Sequence, residues 1–303
     1  MTDTHMSVLS GNGRTELDTL LDAKVDRRDV PGVVAEVANR ERTLYRGAFG
    51  KLDDRGAVDM PTDAIFRIAS MTKPVTSVAV MMLKDQGFFD LDDAVGQYLP
   101  EFKGAEVIVE FDESNSSYTT RPAAREITLR HLLNHTAGFG YAFSNYTLSK
   151  LGDRLPANPP LLHDPGTRWT YGMSTRVLGR VIEKVTNQSL DVFFESSIFE
   201  PLGMRDTGFH LRPEDRPRLA SRFRRINGEL IGEPNPASYE PNVSGDAGLL
   251  STASDYSSFL QMLLGMGEFN GNRILTERSV QEMTKNQIGD LVVEMQPGAI
   301  PDR

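Results

Sequence analysis

Ser70-Met71-Thr72-Lys73 sets a hydroxyl and an amine three residues apart. On a helix that is one turn, so the amine can take the hydroxyl's proton and arm it for attack on a carbonyl carbon. Pro74 suits the first turn of such a helix and Gly87 suits its stop. Val75, Val78, Ala79, Met82 and Leu83 repeat at helical spacing, and at about 100° per residue Ser70, Lys73 and Ser77 fall on the opposite face. Val80 and Met81 make that second face apolar too, which predicts a helix buried nearly all round. A buried ammonium is costly, so Lys73 must be paired or must part with its proton easily, and in the second case it is a general base. The positive end of the helix disfavours a further cation and offers free N–H groups to an oxyanion. The four residues alone also fit a serine that caps a helix and a lysine that reaches solvent.

The elements that must position these groups begin with a helical stripe over residues 15–28, carried by Leu17, Leu20, Leu21 and Val25 and broken by Pro31-Gly32. Residues 33–38 and 43–50 around the polar turn 39–42 predict a β-hairpin. Residues from about 70 to 265 read as helical patterns between Pro/Gly-rich loops, the longest from Leu155 to Gly166. The expected organisation is 1–69, an N-terminal helix and first strands; 70–250, a mainly helical region with the chemistry; and 251–303, helices returning to the strand layer.

Composition narrows the classes. The 303 residues carry 42 acids against 33 bases, a net charge of −9 with no basic tract, which excludes a general nucleic-acid backbone binder. With zero cysteines, disulfides, thiolate metal sites, iron–sulfur clusters and cysteine nucleophiles are excluded. Neither a basic start nor an apolar run opens the chain, and no long apolar stretch follows. No signal peptide, no membrane span and a cytoplasmic address are therefore expected. Asn-x-Ser/Thr triplets at Asn115, Asn145, Asn187 and Asn242 are read as chance.

Other constellations fall away. His131 and His135 have the spacing of zinc-binding helix histidines, but Leu132 stands where His-Glu-x-x-His needs Glu, so no metal is expected. The stretch from His135 to Gly138 is read as the end of a helix. A Gly-x-Ser-x-Gly elbow and a Gly-rich phosphate loop are both missing. Met81, Met82, Met262 and Met266 are read as core fillers, and Asp90, Asp92 and Asp93 as a solvated turn. No cofactor is implied.

The wider context of the serine, FRIASMTKPVTSVAVMMLKDQGFFDLDDAVGQYLPEF, closely resembles the nucleophile helix of the serine β-lactamase and penicillin-recognising superfamily. It is most similar to class C β-lactamase-like esterases (family VIII carboxylesterases) and related acyltransferases. ITLRHLLNHTAGFGY (127–141), the block from Trp169 to Phe209 and SGDAGLLSTASDYSSFLQML (244–263) resemble further segments in the family's order. The resemblance implies an α/β (α+β) fold, an antiparallel sheet flanked by helices with a large helical region. It implies an acyl-enzyme on Ser70, with the Ser70 N–H in the oxyanion hole. Lys73 and Tyr171 would move the protons.

By their places in the matched blocks, Phe139, Tyr141, Met173, Gly245 and Asp246 would line the pocket. Met173 stands where lactamases and penicillin-binding proteins carry an asparagine that helps bind the β-lactam, which favours an esterase acting on a small-molecule ester. A β-lactamase, a D-aminopeptidase-type amide hydrolase and a non-catalytic binding scaffold of the same fold are the alternatives. The family's third element, a Lys/His-Thr/Ser-Gly or Trp-Gly-Gly triplet, does not occur after Ser251; Thr284-Lys285-Asn286 is the nearest string. The C-terminal strands and the second oxyanion donor are therefore expected outside this chain, in a longer polypeptide or in a C-terminal fragment that partners it.

Overall fold

The computed structural model describes residues 10–152, 156 and 158–293. Leu155 and Ala157 of the proline-rich loop, the first nine residues and residues 294–303 lie outside them. In chain order come α1 (Gly11–Asp26), β1 (Gly32–Ala38), β2 (Thr43–Gly50) and the short β3 (Phe66–Arg67). They are followed by α2 (Thr72–Asp85), β4 (Glu106–Asp112), β5 (Ser117–Pro122), α3 (Leu129–Leu133), α4 (Tyr146–Leu151) and α5 (Ser174–Thr186). Next are α6 (Leu190–Phe194), α7 (Glu200–Leu202), β6 (Arg222–Ile226), β7 (Glu229–Glu233) and β8 (Leu250–Ser251). The described chain closes with α8 (Ala253–Leu264), β9 (Glu268–Phe269), β10 (Asn272–Arg273) and α9 (Glu277–Met283). The named strands pair antiparallel throughout, and no helix of the described residues is long and apolar enough to cross a membrane.

The described residues group into two compact units, one from 10–69, 194–242 and 248–277, the other from 70–152, 156, 158–193, 243–247 and 278–293. In the first, β1 and β2 pair from Gly32↔Gly50 to Ala38↔Thr43, as the polar turn between them predicts. The Asn39 side chain accepts from the N–H groups of Glu41 and Arg42, which closes that turn. Helix α1 lies against β2, where Tyr45 donates to Asp18, and α8 lies against β1. Leu52, Met60, Ala64 and Ala220 form a small core under Val34, Ala48 and Phe66. Strand β3 pairs with β8, Phe66 opposite Ser251 and Arg67 opposite Leu250.

In the second unit α2 packs against α5, and α3 packs against α5 as well. Residues Val78 to Leu83 of α2 are all buried, together with Thr72, Lys73, Val75 and Thr76, as a helix apolar on both faces requires. The stop at Gly87 holds: its φ of 80° lets the chain turn so that the Phe88 N–H reaches the Leu83 carbonyl.

Two parts of the expected helical stretch are hairpins instead. Strands β4 and β5 pair through residues 106–122, and the turn is tied by Asp112, which accepts from Ser114 and Asn115. Strands β6 and β7 meet at Asn227-Gly228, whose φ values of 50° and 86° are those of a two-residue hairpin turn. The Asn-Gly pair was the legible signal there. The helix expected to run to Gly138 ends earlier, α3 stopping at Leu133 with Asn134 as its cap. His135 follows at φ 59°, outside helical geometry.

Candidate active site

The nucleophile candidate stands at a strained corner. Ala69 has φ 45°, a conformation that costs a residue with a Cβ, and Ser70 follows in a single 3-10 turn that feeds α2. Ser70 is exposed, whereas Lys73, one turn later, is 7% exposed. The Lys73 ammonium donates to Ser70 Oγ at 3.0 Å and to the main-chain oxygen of Asp246 at 2.8 Å. Both partners are neutral oxygens, and the same geometry serves a general base: a neutral amine here donates to the Asp246 carbonyl and accepts from the Ser70 hydroxyl.

The loop that supplies the carbonyl is fixed from several sides. Thr76 donates to the Gly245 carbonyl at 2.7 Å. Gly245 also passes so close to α5 that a Cβ on Gly179 would lie 3.1 Å from its nitrogen. The Asp246 carboxylate accepts from Ser244 at 2.6 Å, from Tyr141 at 2.7 Å and from the Arg176 guanidinium at 3.0 Å. Burial pushes this carboxyl up, but the bonds from Ser244, Arg176 and Tyr141 outweigh it and hold the group below the usual Asp range. Burial and the Asp246 carboxylate together push the Tyr141 phenol up.

Aromatic rings stand around the ammonium. Lys73 Nζ lies 4.9 Å from the centre of the Tyr171 ring and 5.5 Å from that of Tyr141. Both are cation–π distances. Tyr171 in turn touches Tyr141 at 5.6 Å, His135 at 5.1 Å and Trp169 at 6.3 Å between ring centres. The Thr170 N–H bonds the His135 carbonyl at 2.9 Å, and Gly172 is pressed against the Phe139 carbonyl, where a side chain has no room. These two contacts hold the backbone on either side of Tyr171 against His135 and Phe139. Burial, then the nearby Lys73 charge, drop the His135 imidazole to about 4, so it is neutral at physiological pH. A cavity of about 420 Å³ runs beside Lys73 along Ser77 and Met81, with His135, Trp169 and Leu133 on its other walls.

The structure thus brings Ser70, Lys73, Tyr141, Tyr171, Gly245 and Asp246 together. Phe139 is not among them: it is 1% exposed, packs edge-on to Phe102 in the core, and lines a different cavity from the one beside Lys73, with Phe102 and Leu161. The Asp246 side chain is equally closed off at 2% exposure, so it meets the site through its carbonyl and not as a pocket surface. Met173 is half-buried at the cap position of α5, its carbonyl taking the Arg176 and Val177 N–H groups. His131 closes a capping box with Thr128, and no group of three or more His, Cys, Asp or Glu in the described residues could hold a metal ion. Sequence reasoning set His135 aside as part of a helix end and missed Arg176. Nothing in Gly245-Asp246-Ala247-Gly248 shows from sequence that the acid is buried or that Arg176 is its partner.

Residues 17–291 match the beta-lactamase family. The chain belongs to that family. It is 36% identical over 279 residues to an uncharacterized protein of Mycobacterium tuberculosis (strain CDC 1551 / Oshkosh), covering 86% of this chain and 68% of that one. It is 35% identical over 216 residues to esterase EstB of Burkholderia gladioli, covering 64% of this chain and 50% of EstB. In structure it resembles a mutant of simvastatin synthase of Aspergillus terreus with a TM-score of 0.78 at 26% identity, covering 92% of this chain and 72% of that one. The chain thus spans half the length of EstB and about two thirds of the mycobacterial relative. The mixed fold of helices and antiparallel strands expected from the motifs is the fold of this beta-lactamase-like group.

Proposed function

We propose that the chain is a serine carboxylesterase of the family VIII type, acting on small-molecule esters in the cytoplasm. The observation that carries this is the 3.0 Å bond from buried Lys73 to exposed Ser70 at the start of α2. Similarity to EstB and to simvastatin synthase supports ester chemistry, with acyl transfer to an alcohol as the companion reaction. Ser70 Oγ attacks the ester carbonyl carbon while Lys73 takes its proton, and the carbonyl oxygen becomes an oxyanion facing the Ser70 N–H. The intermediate collapses, the C–O bond to the alcohol breaks, and Tyr171 with Lys73 returns the proton to the leaving oxygen. Water, or a second alcohol, then attacks the acyl-enzyme by the reverse sequence. Met173, in the place where lactamases carry asparagine, supports an ester over a β-lactam.

The test is turnover of short-chain p-nitrophenyl esters and of a chromogenic cephalosporin by wild type and Ser70→Ala. Ester turnover that the substitution abolishes is expected, with little cephalosporin hydrolysis. Ester turnover that survives Ser70→Ala would remove Ser70 as the nucleophile.

A further inference from the structure

Phe143 lies two residues past Tyr141, at the tip of a tight turn in which the Ser144 N–H bonds the Tyr141 carbonyl at 3.1 Å. Its ring stacks on the Tyr141 ring, with centres 4.8 Å apart and planes 19° from parallel. One face is thereby occupied, yet the residue remains 68% exposed. A single exposed apolar residue is unremarkable in itself. Phe143 differs because it ends a row of rings. That row starts at Tyr171 beside Lys73, passes through Tyr141 and finishes at Phe143. The Tyr141 ring is held at its hydroxyl end by the bond to buried Asp246, so the ring on which Phe143 stacks is anchored.

Aromatic pairs favour offset-stacked geometry at roughly 4.5–7 Å between centres, so the open face of Phe143 is laid out for one more flat ring. Which part of the substrate lies there follows from where the row begins. With Tyr171 proposed above to protonate the leaving oxygen, the row that starts at its ring is the side on which the alcohol portion is placed.

We infer that Phe143 is a stacking subsite for the alcohol portion of the ester, selecting flat aryl or conjugated alcohols. This rests on the serine esterase reading above and adds the class of alcohol to it. Tyr141 takes part as the ring that orients Phe143.

The test uses three esters with wild type, Phe143→Ala, Phe143→Leu and Phe143→Trp: 2-naphthyl acetate, vinyl acetate and methyl 2-naphthoate. Each variant is compared with wild type on the same ester, so differences in leaving-group reactivity cancel. Phe143→Ala and Phe143→Leu are expected to raise KM for 2-naphthyl acetate by about three- to tenfold more than for vinyl acetate, the range that one stacked pair supplies, with Trp restoring the wild-type ratio. Binding of 2-naphthol to Ser70→Ala, followed by its fluorescence, should weaken by the same factor when Phe143→Ala is added. Equal effects on naphthyl and vinyl acetate overturn the subsite, as does an effect confined to methyl 2-naphthoate. Absent turnover with naphthol binding still dependent on Phe143 overturns the esterase reading alone, and turnover indifferent to Phe143 overturns the subsite alone.

Discussion

Lys73 donates a 2.8 Å hydrogen bond to the backbone carbonyl of Asp246, a residue 173 positions further along the chain. The amine's position is therefore set by a loop, and that loop by its own acid. The Asp246 carboxylate draws Tyr141, Arg176 and Ser244 onto one centre, which fixes the peptide whose oxygen faces the ammonium. The anchor has two parts: losing Arg176 would leave a buried charge unpaired, and losing the Tyr141 or Ser244 hydroxyl would leave a buried acceptor short of a hydrogen bond.

Replacing Lys73 with Met keeps the length and apolar stem and removes the amine. Ester turnover is expected to fall by roughly 10²–10⁴, the span of a lost proton-transfer group. Far-UV circular dichroism should be unchanged, since the stem still fills its place on a helix buried on both faces. Steady-state kinetics beside the spectrum checks this; wild-type turnover would show that another group takes the Ser70 proton.

The close approach of the Asp246 loop to α5 makes a second prediction. A Cβ on Gly245 would run into the Thr175 carbonyl of α5, backbone that cannot turn aside like a side chain. Gly245→Ala must shift the loop, lengthening both the Lys73–Asp246 and the Thr76–Gly245 bonds. A stability loss of about 1–3 kcal/mol is expected from such overpacking, read as a lower urea midpoint. Turnover should fall with it, because the carbonyl that holds the base moves.

Sequence alone carried the nucleophile helix a long way. The stripe of Val75, Val78, Ala79, Met82 and Leu83 requires the burial that α2 shows, and Pro74 and Gly87 bound it as their backbone chemistry demands. What periodicity could not carry were contacts across long separations. Nothing near Asp246 names Arg176 or Tyr141, and Phe139 and Tyr141, two residues apart, point one into the core and one to Lys73. The hairpins were hidden differently. Around 106–122 and 222–233 the strands are short and mostly exposed, so their apolar pattern is thin, and turn residues such as Asn227-Gly228 carry the information.

Tyr171→Phe separates the phenol from its ring. The ring contacts with His135, Tyr141 and Trp169 and the cation–π contact with Lys73 should all persist, so thermal stability is expected to stay close to wild type. Turnover of p-nitrophenyl acetate should fall less than that of an alkyl ester, since nitrophenolate leaves without a proton and an alkoxide needs one. Equal losses on the two esters would take the leaving-group proton away from Tyr171.

His135 gives a pH prediction whose sign follows from its environment. Its imidazole is held down at about 4, against an ordinary value of about 6.5, because burial and the Lys73 charge both penalise the cation. The unfolded chain therefore takes up this proton first as the pH falls. Stability from the neutral ring is fully present above pH ~6.5 and is lost progressively down to pH ~4, up to about 3 kcal/mol at 1.36 kcal/mol per unit. His135→Asn keeps a residue that tolerates the φ of 59° and removes the titration. The variant is expected to be less stable at pH 8, where the packing against Tyr171 and Trp169 is gone, but to show a flatter fall in Tm between pH 6.5 and 4. Parallel Tm–pH curves for the two proteins would mean that the imidazole ionises in the folded state as freely as in the unfolded one.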